Sequence, residues 1–247
     1  MEQARHRDAY GDSRLRSPWD LIMRAKHTRR DHKFVDEFEN KPTKLINEVK
    51  QIFKEGSYVD VLGFVQWLLQ TFRDPPIKHQ KVQWILEHCR SPYRVVDGEI
   101  IVPITSDAEV DTLHRAFSDV SGSEFNGAQS HLRNAANFLS EGRCADSIRE
   151  SIHSVEAVCR VLLQRPKMTL GEALKVIEKS HKIHPALRDG FSKIYGFTSD
   201  EGGIRHALID DAAANVDEAD AIFMLGACAS FVSYLIARYR AMPPAQS

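Results

Sequence analysis

The stretch from Ala221 to Ala237 is apolar nearly all round. A helix with no polar face must be wrapped by other helices, so this stretch predicts the centre of a four- to five-helix bundle. It falls short of the ~20 residues that span a bilayer, and Gly226, Ser230 and Ser233 interrupt it. A buried core helix is therefore expected, and no membrane partner. The segments before it supply the wrapping. Ala145 to Gln164 places Ile148, Ile152, Val155, Cys159 and Leu162 on one seam at helical spacing. Residues 128–141 repeat the pattern through Leu132, Ala135 and Leu139, with Gly142 as the stop. Thr169 to Glu172 forms a capping box ahead of Leu170, Leu174 and Ile177. His184-Pro185 opens a further helix with Leu187, Phe191 and Ile194 directed inward, closed at Tyr195-Gly196.

The first half is also helical but less regular. Ser17-Pro18 starts a helix that runs into Arg24, Lys26, His27, Arg29, Arg30, His32 and Lys33, the most basic window of the chain. A solvated face and a phosphate-backbone contact are both open readings of that window. Helices follow from Pro42 to a stop at Gly56, from Tyr58 to Phe72, and from Lys78 to Cys89. Tyr58, Phe64, Trp67 and Phe72 read as core aromatics, and Val82, Ile85 and Leu86 as an inward face. The period then changes to two. Asp97-Gly98 between β-branched runs predicts a β-hairpin over 93–104. Ser106 to Glu109 reads as a capping box for a short helix bearing Val110, Leu113 and Phe117. The Ser/Gly-rich stretch 119–127 suggests a boundary, dividing an N-terminal domain of 1–120 from a bundle of 128–240. The fold class expected is mainly α: a C-terminal helical bundle preceded by a smaller helical domain with one β-hairpin.

The formal net charge of −1 excludes a chain that binds nucleic acid through its overall charge, leaving only a local patch for such a role. The four cysteines form no C-x-x-C pair and read as buried small hydrophobes of a reducing cytoplasm. The charged N-terminus lacks the apolar core of a signal peptide. There is no phosphate loop, G-x-G-x-x-G, H-E-x-x-H or G-x-S-x-G. His181-x-x-His184 lacks a nearby acidic or thiol partner, so no metal ligand set and no cofactor is expected.

Two polar groups remain. One is Asp200, Glu201, Arg205 and His206, around the Gly202-Gly203 pair that lets the backbone turn sharply. The other is Arg149, His153, Glu156 and Arg160, aligned at i, i+4, i+7 and i+11, with Ser147, Ser151 and Ser154 on the opposite flank. Glu156 beside an apolar seam calls for a cation, and Arg205 is the natural candidate.

Several blocks carry a family resemblance. The run DSIRESIHSVE, Asp146 to Glu156, resembles the motif NSIKESISAVE. The stretches 169–174, 183–187, 195–206 and 223–235 resemble the blocks that follow it. Together they cover about residues 128–237 and are similar to the AbiJ-type abortive-infection proteins of bacteria, whose C-terminal part is a HEPN-like helical domain. The first half resembles, more loosely, the accessory domain that precedes it. The resemblance implies anti-phage defence, RNA as substrate, metal-independent cleavage and a homodimer formed through the C-terminal bundle, with any phage or defence-system partner unidentified. The usual signature is Arg, four to six residues, then His. Here three residues separate Arg149 from His153, and Arg205 adjoins His206. Under this reading Arg205, His206 and Glu156 are catalytic: His206 moves the proton, Arg205 stabilises charge on the phosphate, and Glu156 orients one of them. Arg149, His153, Ser151, Asp200 and Glu201 bind substrate. The competing reading is a non-catalytic binding or sensing module in which Glu156 and Arg205 form a structural clasp. A nucleotide-binding regulator is a third, without a phosphate loop to support it.

Overall fold

A computed structural model describes residues 5–7, 13–72, 74–104, 106–181, 183–197 and 216–241. Among the described residues the fold is mainly α, with ten α-helices and two small two-stranded sheets. The chain divides into two compact units, Met1–Lys78 and His79–Ser247.

The first unit begins with β1 (Arg5–Arg7) antiparallel to β2 (Ser13–Leu15), in the register Arg5 opposite Leu15. Helix α1 (Trp19–Ala25) starts one residue after Pro18, which stands at the helix boundary without a side-chain capping bond. It passes into a π-helical turn at Lys26–Arg30. Helices α2 (Pro42–Glu55) and α3 (Tyr58–Thr71) complete the unit. Leu15, Met23 and Leu45 form one small core, and Ile22, Phe64 and Leu68 another. Tyr58 opens α3 in solvent, so the aromatic stripe is core only from Phe64 onward. Much of the basic window is committed within the unit. Buried Lys26 pairs with Asp31 at 2.7 Å and Glu48 at 3.8 Å, and Arg30 donates to the Gly63 carbonyl at 2.9 Å. Lys26 is thereby withdrawn from phosphate contact, and Arg30 is half-buried with one N–H committed.

The second unit holds α4 (His79–His88), the β3 (Arg94–Val96) and β4 (Ile100–Val102) hairpin, α5 (Asp107–Asp119), α6 (Asn126–Ser140), α7 (Cys144–Leu163), α8 (Leu170–His181), α9 (Pro185–Phe197) and α10 (Glu218–Arg240). Its division from the first unit falls earlier than the Ser/Gly-rich stretch 119–127 implies. The reason is packing: Val96, Ile100, Val102 and Ile104 share one continuous core with α5, α6, α7, α8 and α10. The hairpin and α5 thus belong with the bundle.

Helix α10 is long and apolar enough to cross a membrane, and one side of it is buried against α5, α6 and α7. Phe223 and Ser230 face solvent, so among the described residues it is not wrapped on every side as its composition suggested. Ala221, Leu225, Ala229, Val232 and Ile236 have no accessible surface. Its start is a capping box, Asp217 with Asp220, that the sequence pattern does not advertise because both members are aspartates. The seam expected on α7 is buried throughout, and Gln164, in the left-handed region at φ 53°, ends the helix. Gly142, at φ 72°, closes α6 as expected. Thr169 and Glu172 form their capping box, at 3.0 and 3.4 Å. Ser106 makes no such side-chain bond. On α4 and α9, Ile85 and Leu187 face solvent instead of the core.

In the hairpin, Asp97 and Gly98 both take positive φ, 50° and 71°, and Glu99 N–H donates to Val96 O at 3.2 Å. The register pairs Val96 with Ile100, leaving Glu99 as an extra residue on the second strand. That slip keeps Val96 and Ile100 fully buried and frees Glu99 to meet Arg133 on α6 at 2.8 Å.

The cysteines divide. Cys159 and Cys228 are buried, Cys144 is half-buried, and Cys89 is exposed beyond the end of α4, contrary to the expectation of four buried thiols. Burial pushes Cys159 and Cys228 up to about 12, so at pH 8 only about one in 10,000 is thiolate. Burial, then the nearby Glu218 and Asp217 carboxylates, also raises Cys144. Iodoacetamide at pH 8 should alkylate Cys89 first and Cys144 more slowly, reaching Cys159 and Cys228 only after denaturation. Peptide mass spectrometry of the native protein reads this order. Early modification at Cys159 or Cys228 would contradict the packing.

Candidate functional site

The polar side chains of α7 are sorted by the packing of its apolar seam. Ser147, Ser151 and Ser154 fall on the buried side. Ser151 donates back to Ser147 O at 2.8 Å, and Ser154 to Ser151 O at 2.6 Å. Ser151, expected to touch substrate, is therefore a core residue whose hydroxyl is satisfied by its own helix. The flank opposite carries the charged groups.

At the start of α7, Asp146 sits between two arginines. Arg143 donates through Nε at 2.8 Å and Arg149 through Nη1 at 2.5 Å. Burial raises the Asp146 pKa, but the hydrogen bonds and charges of Arg143 and Arg149 outweigh it and leave the carboxyl below its ordinary value. A carboxylate in the first turn also complements the helix dipole.

One turn on, Glu150 meets two histidines. His131, on α6, brings Nδ1 to 2.8 Å from Glu150 Oε2. His153, three residues further along α7, brings Nδ1 to 3.5 Å from Glu150 Oε1. The two imidazoles meet edge to face, with centroids 5.3 Å apart. Asn134 donates from Nδ2 to Glu150 Oε2 at 3.1 Å. Burial raises the Glu150 pKa, and the hydrogen bonds and charge of this surround bring it below the ordinary value. Each of the three side chains is partly open: His131 is 33% exposed, Glu150 17% and His153 29%.

Glu156 is 5% exposed and pairs with Arg160 at 3.3 Å, one turn ahead. Arg160 also donates to Met168 O at 3.1 Å, which ties the end of α7 to the turn before α8. The expected line of Arg149, His153, Glu156 and Arg160 is thus real as a helix face, but it is broken into local pairs. Asp200, Glu201, Arg205 and His206 lie outside the described residues, as does the Glu156–Arg205 pairing. His184 is exposed, its Nδ1 accepting from Ala186 N–H at 3.2 Å, while the His181 side chain lies outside the described set.

Two features escape sequence reasoning. His131 is the first. It stands 19 positions from Glu150 on another helix, and only the α6–α7 packing joins them. The Glu150-x-x-His153 spacing was the available signal, since i and i+3 share a helix face. The second is a cleft of about 1080 Å³ lined by α4, the hairpin and α5, with Trp84, Arg94, Asp97, His114 and Phe117 on its wall. Lys81 sits over the exposed Trp84 ring at 4.0 Å. Asp97 closes one end, with Arg133 Nε 2.6 Å from its Oδ2, a close ion pair without hydrogen-bond alignment. Burial raises Asp97 above its ordinary pKa against the opposing effect of Arg133.

Comparison of the chain with protein-family models, curated proteins and solved structures finds no match.

The Asp146 contacts carry a pH signature. The native-state pKa lies below the unfolded one, so their contribution is present above about pH 4 and is lost as pH falls through the native-state value. Asp146→Asn should lower stability at pH 7 by a few tenths to about 1 kcal/mol. Urea unfolding should show that gap closing between pH 5 and pH 2.5, whereas a gap constant across the range would show that the charge contributes nothing.

Proposed function

We propose that this chain is a bacterial abortive-infection protein of the AbiJ type, acting in the cytoplasm as a homodimer, whose C-terminal HEPN-like bundle cleaves RNA without a metal ion. The observation that supports the reading most is the α7 face itself. Within a mainly α unit built on its last helix, the block from Asp146 to Glu156 holds Arg149 and His153 one turn apart, 23% and 29% exposed. An arginine can cradle a phosphate and an imidazole can move a proton near neutral pH. In this reading His206 takes the 2′-hydroxyl proton or protonates the leaving oxygen. Arg205 stabilises the phosphate charge, Glu156 orients one of the two, and Arg149 and His153 hold the strand. Asp200 and Glu201 flank it.

A second reading, a binding module without catalysis, is favoured by one specific observation. Arg149, His153 and Glu156 each already have an internal ion-pair partner within 3.5 Å. A clasp joining Glu156 to Arg205 would extend the same pattern.

The test is cleavage of total bacterial RNA by purified protein in excess EDTA. Wild type is expected to cut, with Arg205→Ala and His206→Ala each losing at least about 100-fold. Undiminished cutting by both variants would overturn the assignment. A wild type that does not cut, together with an Arg205→Ala protein that melts several degrees lower yet remains toxic in a bacterial host, would establish the clasp.

A further inference from the structure

We infer that His131, Glu150 and His153 form a binding site for a divalent transition ion of the zinc type, clipping α6 to α7. The candidate ligand atoms of the three side chains all lie within 4.8 Å of one another. Around a tetrahedral ion with bonds of 2.0–2.1 Å, neighbouring donors stand about 3.3 Å apart. His131 Nδ1 lies 2.8 Å from Glu150 Oε2 and His153 Nδ1 3.5 Å from Oε1, so each imidazole faces a different oxygen of the same carboxylate at close to that separation.

The donor set selects the class of ion. Two imidazoles and one carboxylate suit zinc and its first-row neighbours, while magnesium and calcium demand mostly oxygen. Three protein ligands leave a fourth position for water. The partial exposure of all three groups gives the ion an entry path from solvent. Asn134, donating to Glu150 Oε2 at 3.1 Å, supplies the outer-shell support that fixes a ligating carboxylate. The fold positions the set firmly. His131 lies between the fully buried Ala128 and Leu132 on α6, and Glu150 and His153 flank the buried Ile152 on α7. Two rigid, close-packed helices therefore carry the ligands, and neither needs to order on binding.

The site shares His153 with the proposed strand-holding face but none of the residues assigned to the RNA chemistry, Arg205, His206 and Glu156, and that chemistry is measured in EDTA, with the ion removed. Metal binding is measured without RNA, so either proposal can fail alone.

The experiment uses the full chain, stripped with EDTA and dialysed. Titration with zinc chloride in a calorimeter should show one ion per chain at micromolar affinity or tighter. Saturating zinc should raise the melting temperature by about 3 °C or more. His131→Ala should weaken zinc binding at least about 100-fold, beyond what loss of outer-shell support costs. His88→Ala, which removes an exposed histidine of α4, should bind as wild type does. Magnesium should not compete. Absence of saturable zinc binding, or unchanged affinity in His131→Ala, would overturn the site. Should His131→Ala fail to fold, cobalt added to the wild type decides. Intense visible bands of four- or five-coordinate cobalt support the site, and the weak pink spectrum of six-coordinate aquo-cobalt rejects it.

Discussion

Burial of α10 against α7 is the constraint on which the second unit depends. Leu225, Val232 and Ile236 of α10 and Ile148, Val158 and Cys159 of α7 have no accessible surface. Each fully buried aliphatic side chain contributes about 1.5–3 kcal/mol relative to exposure, against the entropy of ordering the chain. With one face of α7 taken by α10 and another by α6, the charged and imidazole side chains of its first half are left to the remaining edge, while the small serines and Glu156 go inward. That confinement concentrates Asp146, Arg149, Glu150 and His153 in about two turns. The candidate site is a by-product of where hydrocarbon had to go.

Helix α6 serves as a common strut. Leu132, Ala135, Ala136 and Leu139 bind it into the core. Arg133 reaches both hairpin carboxylates, Asp97 and Glu99, while His131 reaches Glu150 on α7. Residues two apart on a helix point in different directions, so one short stretch fastens two different neighbours. This explains why the hairpin belongs to the bundle although a Ser/Gly-rich stretch separates the two in sequence.

The elements legible in the sequence were those with local signatures. The apolar last helix, the α7 seam, the Asp97-Gly98 turn and the Thr169–Glu172 box all rest on interactions within a few residues. What was illegible depended on tertiary placement. The hairpin's membership in the bundle, the burial of Ser151 and the exposure of Cys89 follow from which surface meets which. The site divides in the same way. Arg149, His153 and Glu156 could be assigned to one helix face by spacing alone, whereas Glu156 turned out to face inward. His131 could not be found at all, because its partner lies on the next helix. The hairpin register slipped by one residue from the two-residue expectation because burying Ile100 outweighed regular pairing.

The serines of α7 have a broader meaning. Ser147, Ser151 and Ser154 are inaccessible, and two of the three hydroxyls are turned back onto their own helix. To the neighbouring helices Ser151 and Ser154 present little more than backbone and methylene, much as alanine would, while the Ser147 hydroxyl is buried without a hydrogen-bond partner among the described residues. The strip's chemistry is polar but its role is spatial: short side chains let the helix axes come close. A residue can thus look like part of a binding surface by its functional group while its actual contribution is its small volume.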